Sequence, residues 1–152
     1  MQQRVVNRGV LLPAVCVKRV EARYLNSGIN SQNVKMAKKQ EELANEVVRN
    51  YSFLKEMYKD SYFPNKLVDK GKAILVGLCF RIEQKQPKTL DELYELTHAA
   101  TDKFNDLQED FEEADSEIET GAREAIAEDF TFVAKAYGFE ADIEELIATR
   151  EW

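Results

Sequence analysis

The chain has 152 residues, the length of one ordinary domain. Hydrophobic residues make up 44% and charged residues 32%, with only 3 Pro and 6 Gly, which excludes wholesale disorder and a fibrous protein. The longest uncharged apolar run, residues 73–80, is far shorter than the roughly 20 residues that a membrane-spanning helix needs. The short apolar run predicts no membrane partner. Cys16 and Cys79 fit neither a disulfide framework nor a zinc site, so we expect a cytoplasmic protein.

Charge is distributed unevenly along the chain. Residues 1–35 hold six Lys/Arg and the single Glu21, a net charge of +5, whereas residues 36–152 hold 15 Lys/Arg and 27 Asp/Glu, a net charge of −12. Residues 1–35 also lack a helical or strand period, which predicts a basic leader that is disordered or non-native, with Met36 as the natural start. The alternative for this segment is a basic arm that contacts nucleic acid or lipid.

Residues 36–152 are then a single acidic helical domain, whose charge argues against direct nucleic-acid binding. Apolar spacing predicts its first helix over residues 43–58, about five turns long, ending before Pro64. The second predicted helix, residues 65–84, is apolar on nearly all sides. Such a helix belongs at the centre of a bundle or beneath an oligomer interface, so the pattern is also compatible with a homodimer. Gly71 on its main apolar face permits a close approach by another helix.

Capping signals mark two further helices. Thr89 with Glu92 forms a capping box before the third helix, and Ser116 with Glu119 forms a second before the fourth. Gly138 is placed to end the fourth helix. A short last helix follows, after which Trp152 can fold back as a lid. The predicted fold class is all-α, a compact bundle of four main helices plus a short C-terminal helix, with no strand.

The only histidine, His98, follows Glu95 at the Glu-x-x-His spacing of di-iron helical bundles. Those bundles require a second such pair, which the chain lacks, so we predict no metal and no cofactor. Helical angles place His98 in a polar stripe with Tyr94 beside the core face. We interpret it as a hydrogen-bonded residue at a boundary between helices.

Asp129 interrupts the apolar face of the fourth predicted helix. An unpaired carboxylate there would be costly, so burial predicts a hydrogen-bonding partner. The candidate partners with suitable reach are His98, Arg81, Lys70, Tyr58 and Tyr94. Two interpretations stay open: a polar contact that fixes the register of the helices, or an acid or base with a shifted pKa in an interhelical pocket.

An acidic segment joins the third and fourth predicted helices, and seven of its eleven residues are carboxylates: Glu109, Asp110, Glu112, Glu113, Asp115, Glu117 and Glu119. No register of this segment supplies the ligand positions of an EF-hand calcium loop. Its first carboxylates lie near a helix C-terminus, where negative charge is unfavourable. The segment is therefore either a solvated face or a surface for a basic protein partner.

Several short phrases carry a resemblance to a known family. The sequence resembles an uncharacterised bacterial all-helical family, a domain of unknown function, over about residues 54–152. The resemblance implies a bacterial cytoplasmic helical domain and assigns no catalytic residue. The phrases are Tyr62-Phe63-Pro64, Leu67-Val68-Asp69-Lys70, Leu96-Thr97-His98-Ala99-Ala100-Thr101, Ser116-Glu117-Ile118-Glu119-Thr120 and Ala136-Tyr137-Gly138-Phe139.

Two functional hypotheses follow. Phosphate loops, nucleophile elbows, zinc spacings and dinucleotide fingerprints are all missing from the sequence, which favours a binding protein over an enzyme. The first hypothesis is a protein-binding or inhibitory module that acts through the acidic surface, like the small acidic immunity proteins that neutralise basic toxins. The alternative is a small-ligand-binding protein or enzyme with an interhelical pocket around His98 and Asp129, lined also by Tyr94, Tyr58 and Arg81.

Overall fold

A computed structural model describes residues 39–152, and all regular elements in that part of the chain are helical. The all-α prediction is confirmed for these residues, and none of their helices is long and apolar enough to cross a membrane. The predicted leader, residues 1–35, lies outside the described part. A 3-10 turn at Gln40–Glu42 precedes six helices: α1 (Glu46–Arg49), α2 (Lys55–Lys59), α3 (Asn65–Lys85), α4 (Leu90–Glu113), α5 (Thr120–Ala136) and α6 (Ile143–Leu146).

The long helices α3 and α4 form an antiparallel pair joined by a short loop, residues 86–89. As predicted, α3 begins directly after Pro64. Gly71 lies where the pair meets the segment before α2, because a Cβ atom added there would lie 2.9 Å from Cδ1 of Leu54 and 3.1 Å from Cε1 of Phe104. The predicted close approach at Gly71 is therefore confirmed. The largest fully buried side chains of the core are Phe53, Phe104, Phe111 and Phe130.

The long first helix predicted over residues 43–58 is wrong. The structure has two short helices there, α1 and α2, so the described chain has three long helices and not four. Leu54 has a left-handed φ of 53°, which an α-helix cannot contain. Val48 is buried whereas Val47 is 59% exposed, so the apolar spacing did not mark one continuous buried face. Asn45 caps α1 by accepting hydrogen bonds from the amides of Val47 and Val48.

The two predicted capping boxes have different outcomes. Thr89 caps α4 by accepting a hydrogen bond from the amide of Glu92, as predicted. The box at Ser116 is wrong, because α5 begins at Thr120 with Glu119 as its N-cap. Ser116 instead belongs to the end of α4, where its amide donates to the carbonyl of Phe111 at 2.9 Å. That bond completes a Schellman motif, and the Ser116 hydroxyl is buried without a hydrogen-bond partner in the described residues, so it caps no helix.

The C-terminal region follows the sequence prediction. Gly138 has a φ of 90°, and its amide donates to the carbonyl of Lys135 at 2.9 Å, so it ends α5. Asp142 then caps α6 by accepting a hydrogen bond from the amide of Glu144. Trp152 is 9% exposed and its ring packs edge-on against Phe104, at 6.3 Å between ring centres. The chain end thus covers the core, as the lid prediction requires.

Candidate functional site

Asp129 is the buried carboxylate of α5, 4% exposed, and both of its oxygens accept a hydrogen bond. The hydroxyl of Tyr51 donates to Oδ1 at 2.8 Å, and the backbone amide of Leu54 donates to Oδ2 at 2.7 Å. Burial and a tyrosine partner are therefore confirmed. The predicted identity of the partner is wrong, because Tyr51 lies in the segment between α1 and α2, which the sequence predicted to be helical. That segment also supplies the backbone donor, which side-chain patterns do not reveal.

The surroundings of Asp129 shift its titration. Burial raises the pKa of the Asp129 carboxyl to about 6, although the hydrogen bonds from Leu54 and Tyr51 act in the opposite direction. Burial and the neighbouring carboxylate also raise the pKa of the Tyr51 hydroxyl above its usual range. Tyr51 is therefore a neutral donor at physiological pH. Its ring is held in place by stacking on Phe132, with 3.6 Å between ring centres.

A cleft of about 380 Å³ lies beside Asp129. Since Asp129 is hydrogen-bonded at both oxygens, its first role is to anchor the segment between α1 and α2 to α5. With a pKa of about 6, the same carboxyl can exchange a proton near neutral pH, which is the property of a general acid or base. The cleft is lined by Asn50, Tyr51, Ser52, Leu54, Lys55, Glu56, Ala125, Glu128 and Asp129.

His98 lies on a different side of the domain, where α4 meets the C-terminal segment. Its Nε2 is 2.7 Å from the carbonyl oxygen of Glu145, so this nitrogen carries the proton and donates. The Tyr94 ring stacks parallel to the imidazole, at 6.1 Å between ring centres. Two turns further along α4, Asn105 donates to the carbonyl of Thr149 at 3.0 Å. The predicted hydrogen-bonded boundary role of His98 agrees with this geometry.

The five residues of the predicted pocket do not share one cavity. Only Tyr94 and His98 are neighbours, because Asp129 faces the segment between α1 and α2 whereas His98 faces α6. The hydroxyl of Tyr58 donates to Asp69 on α3. Arg81 is exposed and lines a separate cleft that also contains residues of α4. The predicted interhelical pocket around His98 and Asp129 is therefore wrong as a single site.

The acidic surface comprises the seven carboxylates predicted above and runs from the end of α4 to the N-cap of α5. Two of them have structural roles: Asp110 forms an ion pair with Lys70 at 2.8 Å, and Glu119 accepts a hydrogen bond from the amide of Gly121. The other five are exposed and form no ion pair within residues 39–152: Glu109, Glu112, Glu113, Asp115 and Glu117. In the same part of the chain, no three His, Cys, Asp or Glu side chains are arranged to hold a metal ion.

Sequence reasoning missed a second polar cluster, centred on Glu83 of α3. Its carboxylate accepts hydrogen bonds from the amides of Ala44 and Asn45, both at 2.9 Å, and from the Tyr137 hydroxyl at 2.7 Å. Burial alone would raise the pKa of Glu83, but these three donors, together with the charge of Arg49, outweigh it and hold the pKa below its usual range. Two of the donors are backbone amides, which no side-chain pattern in the sequence marks. The cluster is therefore visible only in the folded structure.

Residues 47–152 match the model of a protein family that is described only as a family of unknown function. The chain belongs to this family, DUF5713. The predicted resemblance to an all-helical family of unknown function is therefore confirmed, and the match begins at residue 47 and not 54. No curated protein and no solved structure matches the chain.

The region shared with DUF5713 contains the whole Asp129 cluster and the whole acidic surface. Ala44 and Asn45, the backbone partners of Glu83, precede it. The contact between Asp129 and the segment before α2 is thus internal to the family region, whereas the contact of Glu83 reaches outside it.

Proposed function

We propose that this protein is a protein-binding or inhibitory module that acts on a basic protein partner through the acidic surface. The observation that supports the proposal is the set of five exposed carboxylates that no cation neutralises within residues 39–152. Charge of one sign gathered on one surface raises the association rate with partners of opposite charge. The proposed setting is a bacterial cytoplasm, which rests on the cysteine usage and on the resemblance described above.

The stability of the domain does not account for these charges. Glu109, Glu112 and Glu113 lie in the last turns of α4, near the negative end of the helix dipole. No basic residue lies in the last turn to offset them. Glu109 and Glu113 are also four residues apart on one helix, a spacing at which like charges repel. A role outside the folded chain explains why carboxylates occupy these positions.

The backbone beneath the acidic surface is well fixed. The amides of Asp115 and Ser116 donate to the carbonyls of Glu112 and Phe111, at 3.1 and 2.9 Å, which ends α4 in a defined turn. Ile118 is 3% exposed and anchors the connection to α5 in the core. Carboxylates carried on an ordered backbone lose less conformational entropy on binding than those on a mobile loop. The surface is therefore preorganised for a partner.

The test uses charge reversal at Glu109, Glu113 and Glu117, because these exposed side chains make no hydrogen bond within the described residues. A partner is first captured from bacterial lysate, and its association rate is then measured at several salt concentrations. We expect the triple Glu→Lys variant to associate more slowly and to lose most of the salt dependence.

The matched control reverses Glu41, Asp102 and Glu140, three exposed carboxylates outside the acidic surface. This control changes the net charge by the same amount. It therefore separates an effect of the acidic surface from an effect of the overall charge. Equal slowing in both triple variants would contradict the proposal, as would an affinity that ignores salt.

A second candidate function is small-ligand binding or catalysis in the cleft beside Asp129. The observation that favours it is a carboxyl with a pKa of about 6 on the wall of a cleft of about 380 Å³. Its test is a ligand or turnover that is lost in Asp129→Asn while the helical circular dichroism is retained. A His98→Ala variant should leave that activity unchanged, because His98 lies outside the cleft.

A further inference from the structure

We propose that a second cleft, between the α2 region and α3, binds a small phosphorylated molecule. This lysine cleft has a volume of about 400 Å³, within the range of small-molecule sites. Its lining contains three lysines and no Asp or Glu: Tyr51, Ser52, Phe53, Lys55, Tyr58, Lys59 and Lys72. The proposal goes beyond partner binding through the acidic surface and does not depend on it.

The local charge is opposite to that of the domain. Residues 36–152 carry a net charge of −12, yet three lysines line this one cleft. Lys55 and Lys59 are one turn apart on α2, where like charges repel, and Lys72 reaches the cleft from α3. A bound anion would relieve that repulsion, and three lysines around one cleft favour a ligand of negative charge.

No carboxylate lines the lysine cleft itself, and two carboxylates next to it accept hydrogen bonds from its tyrosines. Asp129 accepts the hydroxyl of Tyr51, and Asp69 accepts the hydroxyl of Tyr58. Lys59 forms an ion pair with Glu56 at 3.0 Å, but both side chains are more than half exposed, so this pair competes weakly with a ligand. Lys55 and Lys72 form no ion pair within residues 39–152. Two of the three lysines are thus available to an anion.

The two tyrosines of the lysine cleft, Tyr51 and Tyr58, provide an apolar surface for the ligand. Their hydroxyls are directed to Asp129 and Asp69, so their half-buried rings form fixed apolar parts of the wall. Ser52 is exposed and its hydroxyl makes no hydrogen bond within the described residues, which leaves a neutral donor beside the lysines. Cations, a hydroxyl donor and aromatic walls suit a phosphate group attached to a compact organic part.

The experiment measures binding to the full chain by calorimetry, with inorganic phosphate, pyrophosphate and adenosine monophosphate as probes at constant ionic strength. We expect at least one probe to bind, and the Lys55→Gln/Lys72→Gln variant to bind it at least roughly tenfold more weakly. The matched control is Lys66→Gln/Lys103→Gln, which removes two exposed lysines outside the cleft and should bind as the unaltered chain does.

Two results would overturn the proposal: no heat of binding with any of the three probes, or equal affinity in the two double variants. Binding of a single-stranded oligonucleotide in preference to all three probes would also overturn it, since the site would then serve a nucleic acid. If the double variant loses its helical circular dichroism, Lys59→Gln replaces it, because Lys59 is exposed on α2. Charge reversal on the acidic surface should leave probe binding unchanged, so the two proposals can fail separately.

Discussion

The backbone amide of Leu54 donates to Oδ2 of Asp129 at 2.7 Å, although the two residues are 75 positions apart in the sequence. Leu54 is also the residue with a φ of 53°, an uncommon backbone conformation for a residue other than glycine. The carboxylate of α5 therefore holds the chain at the point where it departs from a helical path. The stability of this contact can be tested directly.

Substitution of Asp129 by Ala should lower the free energy of unfolding by about 2–3 kcal/mol, because it leaves the buried amide of Leu54 without an acceptor. Asp129→Asn should cost less. Its carbonyl oxygen can accept from Leu54, and its amide can donate to the Tyr51 oxygen. Urea denaturation of both variants at pH 7 measures the difference, and equal losses would mean that the hydrogen bonds contribute little.

The stability of the domain should depend on the protonation of Asp129. Because folding raises the pKa of this carboxyl from 3.8 to about 6, the folded chain binds the proton more tightly than the unfolded chain. The buried charge therefore destabilises the fold most above pH 6, and protonation relieves this as the pH falls. Between pH 7 and 5 the contribution of Asp129 should rise by about 1 kcal/mol. Asp129→Asn provides the control, since the gain over this range should be absent from it.

Two glycines of α3 should respond in opposite ways to alanine. Gly71→Ala places a methyl group against Leu54 and Phe104 and should destabilise the fold by about 1–3 kcal/mol. Gly77 has no heavy atom within 4 Å of an added Cβ, so Gly77→Ala should stabilise the helix by up to about 1 kcal/mol. Thermal unfolding of the pair measures both effects. A stabilised Gly71→Ala variant would show that α3 does not approach Leu54 closely.

The interaction of His98 with Glu145 should help to hold the chain end in place. His98→Ala removes a donor to a backbone carbonyl and should destabilise the domain by about 1 kcal/mol. Because Trp152 is the only tryptophan, its fluorescence reports on this region. We expect acrylamide to quench it more strongly in His98→Ala than in the control Asp102→Asn, which alters an exposed residue of α4. Equal quenching in the two variants would show that His98 does not affect the packing around Trp152.

The long helices were predictable because their boundaries depend on local signals. Pro64, the Thr89 cap and Gly138 each act within a few residues of the helix end that they define, and all three lie where the sequence places them. The start of α5 was not predictable in this way. Ser116 and Glu119 match a capping box, but the amide of Ser116 belongs to the turn that ends α4. Helix α5 begins only at Thr120.

The candidate site was predictable only in part. The helical phase of α5 correctly identified Asp129 as buried, since that depends on its own helix alone. Its partners were not predictable, because one is a backbone amide and both lie in a segment whose apolar spacing imitates a helix. The same false helix gave the wrong surroundings for Tyr58, and so the wrong pocket.

The hydrogen bond between Leu54 and Asp129 also implies an order of events in folding. A contact that closes a loop of this length costs more chain entropy than the contacts within the α3 and α4 hairpin, whose residues lie closer together in the sequence. The hairpin should therefore form early, and the segment from α1 to α2 should acquire its shape only after α5 has docked. Asp129→Ala should accordingly speed unfolding and leave the folding rate nearly unchanged.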